Sequence, residues 1–299
     1  MLYVNGLVKR FGAHEVLREL GFEVRAGEVY GLLGGNGAGK STTVNIIAGL
    51  LAPDGGDVEI AGERWAAARR RKIGLATQDA ALYPTLTAEE HLRFFGRLYG
   101  LRGAELRRRV EWIVEAMGLA DYRRAPSATL SGGWRRRLSL GVALVHKPEL
   151  LLLDEPTAGL DVEARQDVWR MIAELRRQGA AALLTTHLLD EAETLCDRIG
   201  IMAGGRLAAQ GTLAELRALV PAKELAAIDC AREGALHARA RELGIELRDY
   251  AGQLTLLLPE TATVASLIGR LGELEVRSIA LRPVSLLHVY LEVTGARPD

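Results

Sequence analysis

The chain has 299 residues, 48% hydrophobic and 25% charged, with 38 basic side chains against 38 acidic ones. That length suits one large domain with a small one beside it. The even balance of charge excludes a global attraction to nucleic acid. Two cysteines, Cys196 and Cys230, lack any metal-type spacing and are expected as free thiols in a reducing compartment.

The first residues, MLYVNGLVKRFG, have neither an apolar signal core nor a cleavage site. No run approaches the ~20 apolar residues of a membrane span. The expectation is a cytoplasmic chain that meets a membrane only through a partner. Alternating apolar residues in MLYVNGLV and LGFEVRAGEVYGLLG predict strands, and Lys40–Leu51 a helix. PDGG at 53–56 reads as a turn, with further strands at DVEIAG and KIGLATQ. From Thr87 to Leu119 the pattern is helical, with Leu106, Val110, Ile113, Val114 and Met117 on one face.

ELLLLDEP and AAALLTTH are short continuous apolar runs, the pattern of strands buried on both faces. Between them Val168, Met171, Ile172 and Leu175 mark an amphipathic helix. Strand and helix in alternation imply a parallel α/β sheet with helices on its faces. After about Leu213 a smaller unit begins: a strand at ELAAIDCA, a helix at GALHARARELG, a hairpin at IELRDYAGQLTLLLP, then TVASLIGRLG. That last helix has Val264, Leu267, Ile268 and Leu271 on one side. EVRSIAL is a strand and the end is helical. The basic runs at 69–72 and 107–109 are expected to be solvated helix faces.

GGNGAGKS, Gly34–Ser41, matches GxxxxGK[ST] between a buried strand and a helix. Glycines at Gly34, Gly37 and Gly39 let the backbone curl and turn its N–H groups inward. The helix adds the positive end of its dipole. Lys40 is placed to reach the outer phosphates and Ser41 to hold Mg²⁺. Asp154 ends a buried strand, beside the loop in such a sheet, and would bind Mg²⁺ through its water shell. Glu155 points elsewhere and can take a proton from an attacking water. Ser131, Gly132 and Gly133 open a helix, as a plain cap or a second anion site.

Taken in order, GGNGAGKST, ATQ, LSGGW, LLLLDEP, GLD and LLTTH resemble the motif series of an ABC-type ATPase over about residues 1–215. The resemblance implies an α/β P-loop cassette: a mostly parallel sheet with helices, antiparallel N-terminal strands and a helical insert near 79–145. A small C-terminal α/β domain would follow at 220–299. It implies ATP held by Gly34, Gly35, Asn36, Gly37, Ala38, Gly39, Lys40, Ser41 and Thr42, with Phe11 stacked on the adenine. Ser131, Gly132 and Gly133 would contact the γ-phosphate of a second copy, and Asp161 would join the two sites. Mg²⁺ would lie on Ser41, Gln78 and Asp154. Glu155, His187, Lys40 and Gln78 would serve catalysis, His187 by holding the γ-phosphate and positioning Glu155. Gly35 stands where proline is commonest in the family, and Trp134 where glutamine is.

ALYPTLTAEEHLRFFGRLYGL and GWRRRLSL resemble the drug-resistance and antibiotic-export branch, and so, loosely, does the tail LRPVSLLHVYLEVTG. Leu287 and His288 occupy the tail positions of a usual acidic pair. The branch implies a homodimer that drives a separate membrane permease, with no nucleic acid. The alternatives are a non-transport ABC-type ATPase of translation or DNA repair, and a nucleotide-sensing regulatory module.

Overall fold

The apolar runs read as buried strands lie side by side in one sheet. A computed structural model describes residues 1–64, 66–79, 81–250, 252–272 and 274–295. Ala80, Ala251 and 296–299, which fall in the expected insert, hairpin and C-terminal segment, lie outside the described residues. The chain divides into two units, Met1–Gln210 and Gly211–Asp299.

The first unit begins β1 (Leu2–Phe11), β2 (His14–Val24), β3 (Val29–Gly34), α1 (Lys40–Ile47), β4 (Gly55–Ile60), α2 (Ala66–Lys72) and β5 (Ile73–Ala76). The helices α3 (Ala88–Leu98), α4 (Gly103–Ala116) and α5 (Gly132–Leu144) follow. It ends β6 (Leu150–Asp154), α6 (Val162–Arg177), β7 (Ala181–Thr186), α7 (Leu189–Leu195), β8 (Arg198–Ala203) and β9 (Arg206–Gly211). One sheet has the order β5-β6-β7-β3-β8-β9, and a smaller one β2-β1-β4. Strands β5, β6, β7, β3 and β8 pair in parallel. β1 pairs antiparallel with both β2 and β4.

The two-residue period of a strand assigns the core. Leu151, Leu153, Ala182 and Leu184 pack with α4, α5 and α6 through Val110, Ile113, Leu138, Leu140, Val168 and Ile172. Their neighbours Leu150, Leu152, Ala181 and Leu183 face the opposite way, onto Leu2, Val4, Leu17, Val44 and Ile47. Each leucine, isoleucine or valine among them contributes about 1.5–3 kcal/mol by leaving water. The large sheet is thereby closed on both faces, as its lack of polar alternation requires.

The second unit comprises α8 (Leu213–Arg217), β10 (Glu224–Cys230), α9 (Glu233–Glu242), β11 (Glu246–Tyr250), β12 (Gln253–Leu258), α10 (Val264–Leu271), β13 (Val276–Arg282) and α11 (Leu286–Thr294). Its sheet, β11-β12-β10-β13, is antiparallel throughout, the split βαβ arrangement. Leu236 and Ala240 of α9 and Leu267 and Leu271 of α10 cover Ala226, Ile228, Leu256 and Leu258. The Tyr250 hydroxyl and the Arg248 guanidinium both bond Glu292 of α11 (2.7 and 3.2 Å). His288, in the tail, accepts from the Ser285 N–H at its own helix start and packs edge-on against Tyr250.

Several sequence expectations change. The helical stretch from Thr87 is broken at 99–102 into α3 and α4, where Gly100 takes a φ of 96°. α1 stops at Ile47, because Gly49 turns left-handed. Gly55 and Gly56 open β4 rather than forming a free turn, held by β1. Val264 and Ile268 are exposed, so α10 buries only Leu267 and Leu271 of its expected face. The basic runs are not simply solvated. Arg69 is buried and donates to the Val58 carbonyl, and Arg109 donates to the carbonyls of Leu144 and Val145 while stacking on Trp112. A guanidinium on a long stem can serve backbone carbonyls that a charge count never reveals. Both cysteines are free, and burial pushes the Cys196 thiol well above its ordinary range.

Charge ties α3 to α4 and to the segment after it. Thr87 and Glu90 form a capping box at the start of α3. Arg123 bonds both Glu89 and Glu111, and Glu89 also takes Arg93. The Arg123 hydrogen bond, then that of Arg93, holds the Glu89 carboxyl at about 2 against an ordinary 4.5. A depressed carboxyl stabilises the fold above its unfolded value and loses that contribution as pH falls through the folded one. Chemical denaturation from pH 7 to pH 2 should therefore show stability falling below about 4.5. Arg123→Ala should lower stability at pH 7 by about 1 kcal/mol and flatten that acid limb.

Candidate nucleotide site

In a parallel sheet every strand ends on the same edge. That edge carries the Gly34–Gly39 loop after β3, Gln78 after β5, Asp154 and Glu155 at the end of β6, and His187 after β7. Register aligns them, with Asp154 beside Thr185 and Leu33 beside Thr186. A groove of 370 Å³ opens there, lined by His14, Val16, Asn36, Gly37, Ala38, Gly39, Lys40, Ser41, Thr42, Gln78 and Glu155.

The loop is built for an anion. Gly37 and Gly39 have φ of 76° and 103°, which a side chain would strain. A Cβ on Gly39 would also lie 2.7 Å from Leu17 Cδ2, so β2 presses directly on the loop. No side chain caps the start of α1, and no acidic residue sits in its first turn. Its N–H groups and dipole are left for a ligand. Lys40 is buried, and its Nζ donates to the carbonyls of Gly34 (2.8 Å) and Gly35 (3.1 Å).

Glu155 is where the charges converge. Its Oε1 lies 3.4 Å from Lys40 Nζ and 3.2 Å from His187 Nδ1. Its backbone is left-handed, with φ 47°, a conformation that costs a non-glycine residue about 1–3 kcal/mol. The Glu155 N–H donates to the Thr185 carbonyl (3.1 Å) and hydroxyl oxygen (3.2 Å), which holds it there. Asp154, one residue earlier, turns instead toward the loop. It accepts from Ser41 Oγ (3.3 Å) and from the Thr185 hydroxyl. The bend separates the two carboxylates, one among oxygen donors and one facing the groove.

Phe11 stands at the tip of the β1–β2 turn, 52% exposed with Lys9 Nζ 5.5 Å from its ring centroid. It does not line the groove, whereas His14 and Val16 from the next strand do. Ser131 caps α5 and Asp161 caps α6, accepting from Ala164 N–H (2.8 Å). Gly132 and Gly133 lie against Leu160 and Ala164, so these two caps are neighbours. Neither lines the groove of its own chain.

The ABC transporter family matches residues 17–158. The linearmycin resistance ATP-binding protein of Bacillus subtilis is 41% identical over 72% of this chain and 70% of that protein. The chain belongs to the ABC transporter family. The daunorubicin resistance ATP-binding protein DrrA3 of Streptomyces coeruleorubidus is 39% identical over 98% of the chain and 95% of its own length. Among solved structures, an ATP-binding subunit of an ABC transporter superposes with a TM-score of 0.67 and 36% identity, covering 73% of this chain and 92% of that one. A dimeric cassette in a post-hydrolysis state with ADP and Pi superposes at 0.65 and 26% identity, over 71% and 99%. It is an ATP-binding, ATP-hydrolysing subunit of that family, similar to drug-resistance ATP-binding proteins.

Two residues of the ABC cassette that sequence reasoning passed over, or left without a role, now have one. Arg136, which appears in the sequence only within GWRRRLSL, is 5% exposed. Its guanidinium donates to the carbonyls of Asp154 (3.1 Å), Pro156 (2.5 Å), Gln78 (3.3 Å) and Thr77. One side chain thus ties α5 to both the glutamine segment and the carboxylate turn. Burial pushes its pKa down to about 10, and only an arginine stays charged there. Trp134 packs on Tyr122 of the insert (4.3 Å between ring centroids) and under the Arg137 guanidinium (4.3 Å). The indole replaces a polar side chain with a stacked one and leaves Ser131 in its capping position.

Arg136→Leu should lower unfolding free energy by about 3–5 kcal/mol, since it leaves several buried carbonyls short of a donor. Urea denaturation measures it. Arg136→Lys, which cannot fork to four acceptors, should recover less than half of that loss.

Proposed function

We propose that two copies of this chain close head to tail on ATP and drive a separate membrane permease that exports its cargo. Each Gly34–Thr42 loop would hold the phosphates, and Ser131–Gly133 of the second copy would complete the γ-phosphate site. The observation that carries the proposal is the Glu155 carboxylate, at the lip of the groove between Lys40 and His187. Closure excludes water and strengthens every charge in the site. Glu155 then accepts the proton of the attacking water. Lys40 and His187 hold the charge that grows on the γ-phosphate oxygens. Asp161, beside the signature, would report the state of one site to the other.

Ser41, Gln78 and Asp154 offer oxygen donors only, two of them 3.3 Å apart, the hard ligands that Mg²⁺ prefers. These residues would hold the ion, which supplies neutralisation of the β- and γ-phosphate charge when bound. Phe11 would stack on the base from the β1–β2 turn.

Among the described residues no helix is long and apolar enough to cross a membrane, and the proposal assigns the crossing to a separate permease subunit. We place the cassette, with its insert over 79–145, at the cytoplasmic face on that subunit, and read 220–299 as an accessory domain. Export is supported by the two resistance proteins above, one of them similar along 98% of the chain.

Glu155→Gln should lower ATP hydrolysis by about 10²–10⁴-fold while ATP binding persists. Light scattering should then show an ATP-dependent dimer that no longer dissociates. Lys40→Ala should lose both ATP binding and the dimer. Capture of the tagged chain from native membranes in mild detergent should bring down a multi-helix membrane protein. Recovery of ribosomes or nucleic acid in its place would overturn the transport reading.

A further inference from the structure

A carboxylate on the far side of the catalytic turn takes no part in the mechanism above. Glu191, in α7, is 1% exposed. A bare carboxylate in such surroundings costs several kcal/mol, so its bonds must hold it. They do, and both fall on the same oxygen. Oε1 accepts the Thr157 hydroxyl (2.6 Å) and the Trp169 indole N–H (3.0 Å).

These partners sit on the two segments that flank the chemistry. Thr157 lies two residues after Glu155. The Ala158 N–H donates to the Glu155 carbonyl (3.2 Å) and the Leu160 N–H to the Thr157 carbonyl (3.2 Å). Two successive turns therefore make Glu155–Leu160 one stiff unit, and a grip on Thr157 is a grip on Glu155. Trp169 belongs to α6, the helix that Asp161 caps. Glu191 itself rides on the helix that starts two residues after His187, and the Leu188 N–H is fixed to the Thr186 hydroxyl (2.9 Å).

Arg136 grips the same turn from the other side through the carbonyls of Asp154 and Pro156. Glu191 and Asp154 are the negative charges that favour its charged form. The turn is held between a buried guanidinium and a buried carboxylate. That grip opposes the relaxation that the left-handed Glu155 backbone would otherwise undergo.

We propose that Glu191 is a positioning residue for hydrolysis, whose Oε1 locks the Glu155 turn to the helix that follows His187. The base and the histidine then move as one body, at the separation seen here. This role rests on the assignment of Glu155 as base.

The test measures kcat and KM for ATP, with melting temperature, on the full chain carrying Thr157→Val, Glu191→Leu, Glu191→Gln or Glu155→Gln. Thr157→Val removes one hydroxyl and should lower kcat about tenfold or more with KM within about twofold, as expected for a small misplacement of reacting groups. Glu191→Leu should do the same or worse. Glu191→Gln keeps an oxygen that accepts both bonds and should return kcat to within about threefold of wild type. If Glu191→Leu does not fold, Thr157→Val decides. Lower melting temperatures with unchanged kcat in Thr157→Val would overturn the positioning role, while a Glu155→Gln variant whose hydrolysis falls about 10²-fold or more leaves the base in place. Wild-type hydrolysis by Glu155→Gln would instead remove the base, and the positioning role with it.

Discussion

Parallel pairing of β5, β6, β7 and β3 is the constraint from which the site follows. Parallel strands all finish at one edge, and the register between them fixes which residues become neighbours there. Slippage by one residue would turn Asp154 from the loop side to the core and bury Leu153 among polar groups. The closed core on both faces makes such slippage expensive. Packing of leucines and alanines far from any phosphate therefore sets the distance from Ser41 to Asp154 and from Lys40 to Glu155.

What positions the side chains at that edge is mostly backbone chemistry. The Gly37 and Gly39 φ values shape the loop, and the left-handed Glu155 turns its carboxylate away from that of Asp154. Buried side chains then hold these bends in place: Thr185 at the Glu155 amide, and Arg136 at four carbonyls. Neither itself lines the groove. The site is preorganised by residues whose partners are mostly main-chain atoms, so substitutions among them act through geometry rather than through lost ligand contacts.

Much of this was legible in the chain. The phosphate loop, the two carboxylates and the strand order's parallel character all follow from short contiguous patterns, because strand, loop and helix N-terminus are local structures. Arg136, Glu191, His14 and Val16 were not legible. Their roles depend on partners 18 to 59 residues away for Arg136, and 22 and 34 away for Glu191. Nothing in a run of three arginines says which one turns inward. Exposure of Val264 and Ile268 escaped for a related reason: helical periodicity reports which residues share a face, and tertiary packing decides how wide a face is covered.

An ammonium group has three hydrogens to give. Lys40 already directs them at three oxygens, two carbonyls of its own loop and the Glu155 carboxylate, the last at the longest distance of 3.4 Å. A phosphate entering the loop must compete for one of them, and the loosest yields first. In the proposed mechanism, the cation that would draw the phosphate in is thus the same one that holds the proposed base. Occupancy of the loop and release of the carboxylate become a single exchange of partners, which ties the readiness of Glu155 to the arrival of the phosphate.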